Sequence, residues 1–170
     1  MKSCIPLIRP SKLSDLTEVH KLFVGTISAI CKADYSPEQI NAWTSSIENV
    51  QRWKDKIAKQ YFLIAELDSK IVGYASLEYN DYLDLLYVHK DFQRHAIANS
   101  LFSAIEVEAI RYGSPVLFSD VSKTAKPFFE KRGFITLKLQ TNLIKGIELV
   151  NYRMRKRFDF ASESDTGLKS

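Results

Sequence analysis

Apolar positions recur along this chain in two rhythms. In IANSLFSAIEVEAIR, Ile97, Leu101, Ile105 and Ala109 fall four apart, the spacing that lines one face of an α-helix. A helix is therefore predicted through about Arg111, ended by Gly113 and Pro115. The preceding stretch YLDLLYV is apolar at nearly every position, as expected of a strand buried on both faces. A second strand, VLFSDV, follows the helix. Strand, helix and strand with short connectors form a βαβ unit, so residues 82–88 and 116–121 should be parallel neighbours joined by a right-handed crossover.

The flanking segments read just as locally. Ile5 to Arg9 suits a short first strand, and Ser14 with Asp15 and Glu18 resembles a helix N-cap with acids at the positive dipole end. Leu16, Val19 and Phe23 supply that helix with an apolar face. In YSPEQINAW, Ser36, Pro37 and Gln39 satisfy capping-box logic for a second helix. VQRWKDKIAKQ, with Trp53 and Ile57 four apart, completes the helical region. YFLIAELDSKIVGYASLE reads as a hairpin turning at Asp68 and Ser69. TAKPFFEKRGF is a short helix with Pro127 in its first turn and Gly133 at its end. Two further β-rich runs, joined near Lys145 and Gly146, close the chain as an antiparallel hairpin.

Composition narrows the class. A chain of 170 residues accommodates one substantial core, here expected over residues 1–155, with 156–170 as a flexible tail of loose composition. The net charge of +4, from 24 basic and 20 acidic residues, is too mild to argue for a nucleic-acid protein. Cys4 and Cys31 form no ligand spacing with each other or with histidine, so no metal is expected and a reducing compartment fits. No run approaches the ~20 apolar residues needed to span a bilayer, and a cytoplasmic, membrane-free protein is expected.

The junction QRHAIANS, between the buried strand and the long helix, changes the picture. A helix N-terminus offers unpaired backbone N–H groups and the positive end of a dipole, the combination that holds phosphate. Arg94 adds a side-chain cation there, with His95 as a candidate second; an ordinary βα connection with a solvated Arg94 is the competing reading. The GxGxxG and Walker A patterns are absent, so ordinary dinucleotide and P-loop readings have no support.

Val88, Gln93 five residues on, the spacing QxxAxA and the later SKTAKPFFEKRGF together resemble the GNAT superfamily of acyl-CoA-dependent N-acetyltransferases. YSPEQINAW, RWKDKIAK, YLDLLYV and AKPFFEKRGF, in that order, resemble its YafP-like branch. The likeness runs from about Ile5 to Met154. It implies an α/β (α+β) fold, with a mixed, mostly antiparallel sheet, a central splayed parallel pair and flanking helices. Acetyl-CoA would lie in the splay as cosubstrate. Backbone groups of Leu86, Tyr87 and Val88 would pair with its pantetheine arm, and Gln93, Arg94, His95, Ala96, Ile97, Ala98 and Asn99 would form the pyrophosphate loop. Ser122 stands where many relatives carry Asn, and would touch the arm or cap the following helix.

Two departures from the family pattern bear on activity. Ala96, and often Ala98, stand where relatives place glycine, whose missing side chain lets phosphate approach the backbone. Helical dihedrals at residue 96 would make the extra methyl cheap, leaving cofactor binding weakened or repositioned but retained. Phe129 occupies the place of a tyrosine that protonates the departing thiolate. A thiol pKa near ~8.5 makes that acid helpful but dispensable.

An amine of pKa near ~10 must lose a proton before it attacks a thioester. Asp84, the one charge inside YLDLLYV, shares strand parity with Tyr82, Leu86 and Val88 and is the first candidate base; a hydrogen-bonded structural aspartate is the competing reading. Glu78, Tyr79 and Tyr82 come next, each more commonly a turn or packing residue. Cys31 has no basic partner at an informative distance and reads as a buried thiol. His89 and His95 flank the loop and could assist protons or phosphate. Trp43 and Trp53 border the acceptor side or pack against the sheet, and RMRKR reads as a solvated strand end. The expectation is an acetyltransferase acting directly on a primary amine, small molecule or peptide, as a monomer or homodimer. A non-catalytic acyl-CoA-binding module is the main alternative, and a small nucleic-acid binder a weaker one.

Overall fold

The computed structural model describes residues 5–160. Cys4 and most of the expected tail lie outside the described residues. Among the described residues, seven strands and five α-helices follow in chain order: β1 Leu7–Pro10, α1 Leu16–Ile30, α2 Pro37–Thr44, α3 Val50–Lys59, β2 Tyr61–Leu67, β3 Lys70–Glu78, β4 Tyr82–Val88, α4 Ile97–Arg111, β5 Val116–Ser122, α5 Lys126–Lys131, β6 Ile135–Ile144 and β7 Ile147–Arg157. The strands make one sheet in the order β1-β2-β3-β4-β5-β7-β6, antiparallel everywhere except β4 against β5. The mixed sheet with a central parallel pair is thus present. β7 continues through Arg157, two residues past the domain end read from sequence, and Phe158 N–H bonds Pro115 C=O at 3.0 Å.

Apolar residues bury the two faces of the sheet separately. α4 and α5 cover one face, where Ile97, Leu101, Phe102, Ile105 and Phe129 meet Ala75, Leu83, Val88 and Leu117. α1, α2 and α3 cover the other, where Val19, Phe23, Ile27, Trp53 and Ile57 meet Phe62, Ile64, Tyr74 and Leu85. Removing this much apolar surface from water is the main force holding the layers. Trp53 belongs to this second core, 3% exposed, with its indole N–H on Ser46 C=O at 3.1 Å.

Local chemistry accounts for several element ends. Ser36 Oγ accepts from Gln39 N–H at 3.2 Å while Gln39 Oε1 accepts from Ser36 N–H at 2.9 Å, the reciprocal box read from sequence. Asp68 and Ser69 form a two-residue turn with φ of 48° and 62°, the left-handed geometry that matches strand twist. Ser14, in contrast, caps nothing. It lies in a 3-10 turn, and Asp15 accepts from Lys12 N–H at 2.8 Å while pairing with Arg9 at 2.9 Å. The first strand likewise begins two residues later than its sequence suggested, at Leu7. Among the described residues, no helix is long and apolar enough to cross a membrane.

Candidate active site

β4 and β5 part almost as soon as they meet. Their only register pair is Tyr82 with Phe118. Phe118 N–H bonds Asp81 C=O and Ser119 Oγ donates to Leu83 C=O, both at 2.8 Å. Beyond that point the strands diverge around a cavity of about 610 Å³. The cavity passes through the sheet. Ala98, Val121, Ala125, Phe128 and Phe129 line it from the α4 side, and Cys31, Tyr35, Trp43, Tyr87, Ile144 and Leu149 from the α1–α2 side.

β4 keeps its other edge zipped to β3, with one irregularity. Ser76 pairs with Leu85 and Leu77 with Leu83, so Asp84 is an extra, unpaired residue. A β-bulge of this kind re-aims the strand, and it overturns the strict parity expected between Asp84, Leu86 and Val88. Asp84 instead turns toward α3, where Lys56 forms an ion pair with it and Gln60 Nε2 donates at 2.8 Å. Its carboxylate still borders the cavity, with a side chain only 15% exposed. It also borders a second, polar hollow shared with Lys56, Glu78, Tyr79 and Tyr82. Glu78 and Tyr79 therefore do not reach the main cavity, and Tyr79 is 84% exposed.

After the bulge, antiparallel alternation decides which backbone groups face the gap. His89 N–H bonds Val72 C=O at 2.8 Å, and Tyr87 pairs with Tyr74. Leu86 and Val88 consequently turn their N–H and C=O groups away from β3. Thr26 Oγ1 and the Gln93 amide both donate to Val88 C=O, at 2.9 and 2.7 Å. That leaves Leu86 N–H and C=O and Val88 N–H on the cavity side. Tyr87 offers its ring instead of its backbone, and burial holds its phenol far above the ordinary tyrosine range.

The loop from Gln93 to Asn99 carries strain that the sequence reading missed. Gln93 also donates to His89 C=O at 3.3 Å and thus braces the loop. Arg94 and Ala96 both take positive φ, 63° and 58°. Ala96 sits in the left-handed region at ψ 10°, not in helical dihedrals, so its methyl carries a conformational penalty of about 1 kcal/mol. α4 begins at Ile97 with no side-chain cap, and Ser100 N–H makes the first helical bond to Ala96 C=O at 3.0 Å. The amides of Ile97, Ala98 and Asn99 are the free donors of that first turn. Arg94 and His95 are exposed, and His95 Nδ1 lies 2.8 Å from Gln93 C=O. A further cation comes from far along the chain, as Arg132 donates to Asn99 Oδ1.

The remaining candidates divide cleanly. Ser122 Oγ accepts from Ala125 N–H at 3.1 Å, so it caps the turn into α5 and lines the cavity as well. Phe129 is 4% exposed among Phe102, Phe128 and Phe134, and its edge reaches the cavity without a hydroxyl. Cys31 is a free buried thiol in the wall, its pKa raised by burial. His89 caps the loop through Asp91 N–H at 3.2 Å and packs on Phe92, outside the cavity. Sequence reasoning missed Asp120, the second carboxylate of the wall. It accepts from Arg153 at 2.6 and 3.0 Å, Tyr82 at 3.0 Å and Gln140 at 2.8 Å. Those partners leave Asp120 little spare capacity as a base; Asp120 in turn pushes the Tyr82 phenol upward, after the larger effect of burial.

A split parallel pair above a phosphate-ready helix start is the architecture of an acyl-CoA-dependent acetyltransferase. Residues 31–156 match the family model described as an acetyltransferase (GNAT) domain, and the chain belongs to that family. It is 34% identical over 148 residues to the uncharacterized N-acetyltransferase YafP of Escherichia coli (strain K12), covering 87% of this chain and 93% of that protein. The GCN5-related N-acetyltransferase of Rhodopseudomonas palustris superposes with a TM-score of 0.89 at 34% identity, over 93% of this chain and 99% of that one. PaiA N-acetyltransferase of Thermoplasma acidophilum, solved in complex with coenzyme A, shares the fold with a TM-score of 0.76 at 19% identity, over 90% and 99%.

Proposed function

We propose that this N-acetyltransferase passes the acetyl group of acetyl-CoA directly to a primary amine inside the cavity that crosses the sheet. The observation carrying this reading is the single register pair between β4 and β5. It leaves the Leu86 and Val88 edge without a strand partner, where an extended pantetheine arm can hydrogen-bond as another strand. The residues present suit that ligand. The amides at the start of α4, with Arg94 and Arg132 nearby, would hold the pyrophosphate, while Val121, Ala125, Phe128 and Phe129 give the arm an apolar wall.

The acceptor nitrogen would approach the thioester from the α1–α2 side. Asp84 is the carboxylate best placed to take its proton, directly or through water, because it lines the cavity while Lys56 and Gln60 both engage only its Oδ2. Backbone N–H groups on the gap side of β4 would stabilise the charge developing on the carbonyl oxygen. No hydroxyl at residue 129 meets the thiolate, which leaves unaided at neutral pH.

The test is a thermal-shift titration with acetyl-CoA followed by thiol release with a panel of amines. Stabilisation accompanied by amine-dependent thiol release supports the reading. Stabilisation with no release on any amine would instead favour the non-catalytic acyl-CoA-binding module.

A further inference from the structure

We infer that the acceptor is a small primary amine with an apolar or aromatic body and no carboxylate. This deepens the proposed function and rests on it, since it concerns the end of the cavity that the acetyl group would face. Among the described residues, no lysine, arginine or histidine lines the cavity, and its only charged side chains are Asp84 and Asp120. Both are already answered from behind the wall, Asp84 by Lys56 and Asp120 by Arg153. Lys123 does not line the cavity either; its ammonium lies over the Tyr35 ring, 5.5 Å from the centroid. An acceptor carboxylate would thus lose its water beside two carboxylates and gain no cation, a burial that is strongly unfavourable. Such a wall selects by rejection as much as by attraction.

What the wall does offer is aromatic and aliphatic surface. Tyr35 and Trp43 meet edge to face with centroids 5.3 Å apart, and Cys31, Ile144 and Leu149 surround them. Aromatic faces stabilise both an aryl body and an approaching ammonium.

Size follows from a separate observation. The two segments bordering this end are fastened to each other. Tyr35 Oη donates to Val150 C=O at 2.7 Å and accepts from Lys123 N–H at 3.0 Å. Gln39 Nε2 donates to Glu148 C=O at 2.9 Å, and Lys145 pairs with Glu48 at 2.7 Å. Cross-links between the α1–α2 region and the β6–β7 hairpin close the path that an extended peptide would need to lie between them.

Matched pairs isolate the carboxylate. The full chain with acetyl-CoA is assayed for thiol release on tyramine and tyrosine, tryptamine and tryptophan, and a hexapeptide with a free N-terminal alanine. Each amine should exceed its amino acid by ~100-fold or more in kcat/KM, with the peptide below both amines. Equal rates within a pair, or preference for the peptide, would overturn the inferred class while leaving the enzyme intact. Thiol release on none of them, with acetyl-CoA still stabilising the chain, overturns both this inference and the function it rests on. A gain of function provides an independent check. Asn142 is exposed on β6 at the cavity rim, so Asn142→Arg adds a cation with little risk to folding. The tyramine-to-tyrosine ratio should fall by ~10-fold, and a ratio that does not move counts against the inference.

Discussion

On the α4 side the cavity's hydrogen-bonding edge is main chain backed by an apolar wall, and on the α1–α3 side the lining is side chains gathered from distant segments. The first edge consists of backbone groups of Leu86 and Val88 and the amides that open α4. The second consists of Tyr35, Trp43, Asp84, Asp120 and Leu149. Main-chain recognition needs geometry but few particular residues, so it suits a ligand common to a whole family. Side-chain recognition depends on which residues happen to meet, so it can differ between relatives on one fold.

The largest test of this division is Asp84→Asn. It should lower kcat by ~100-fold, leaving acetyl-CoA affinity by calorimetry within about threefold because the cofactor edge is untouched. An unchanged kcat across pH in a folded variant would remove Asp84 from the mechanism. Gly73→Ala probes the opposite edge. A Cβ there would stand 3.0 Å from Ile97 Cγ2 and Leu101 Cδ1 and 3.1 Å from Tyr87 C=O. Pushing α4 off β3 should cost about 1–3 kcal/mol in chemical denaturation and weaken acetyl-CoA binding while sparing the acceptor KM. If the acceptor KM moved as much as cofactor affinity, the two edges would not be separable.

Ala96→Gly sharpens the same contrast in the favourable direction. Relief of the left-handed strain should add about 1 kcal/mol of stability, and opening the amides to phosphate should tighten acetyl-CoA binding several-fold. A loss of affinity would show that the methyl is part of the site. The smallest effect concerns protons on the side-chain-rich face. His20, set edge to face against Trp53 at 5.0 Å with its Nε2 unpartnered, has its pKa lowered from 6.5 by burial. His89 is lowered too, mainly by burial. Since the unfolded chain binds these protons more readily, stability is fully present above about pH 6.5 and falls as pH drops below it. Thermal midpoints measured from pH 7.5 to 5.5 should decline, and His20→Gln should flatten the decline.

The same division explains what the sequence disclosed. β4 and α4 were legible because continuous apolarity and a four-residue repeat are local signals, and the Ser36–Gln39 cap because both partners lie three residues apart. The strand-to-helix junction was legible as QRHAIANS, but the positive φ of Ala96 was not, since alanine ordinarily signals a helix. The bulge at Asp84 is a property of two strands at once: nothing in YLDLLYV says that Ser76 will pair with Leu85 and Leu77 with Leu83. Asp120 likewise gains its meaning only from Tyr82, Gln140 and Arg153, residues 38, 20 and 33 positions away. Lys56 and Arg132 reach Asp84 and Asn99 over 28 and 33 positions.

Mechanically, the sheet is two ribbons, β1 to β4 and β5 to β7, hinged at one rung between Tyr82 and Phe118 and latched by the Ser119 hydroxyl. A ligand spanning the open end would act as the missing crosspiece, turning a forked plate into a stiff one. Hydrogen exchange should register that stiffening in the Leu86 and Val88 amides, and Ser119→Ala should loosen the hinge in the free protein more than in the ligand-filled one.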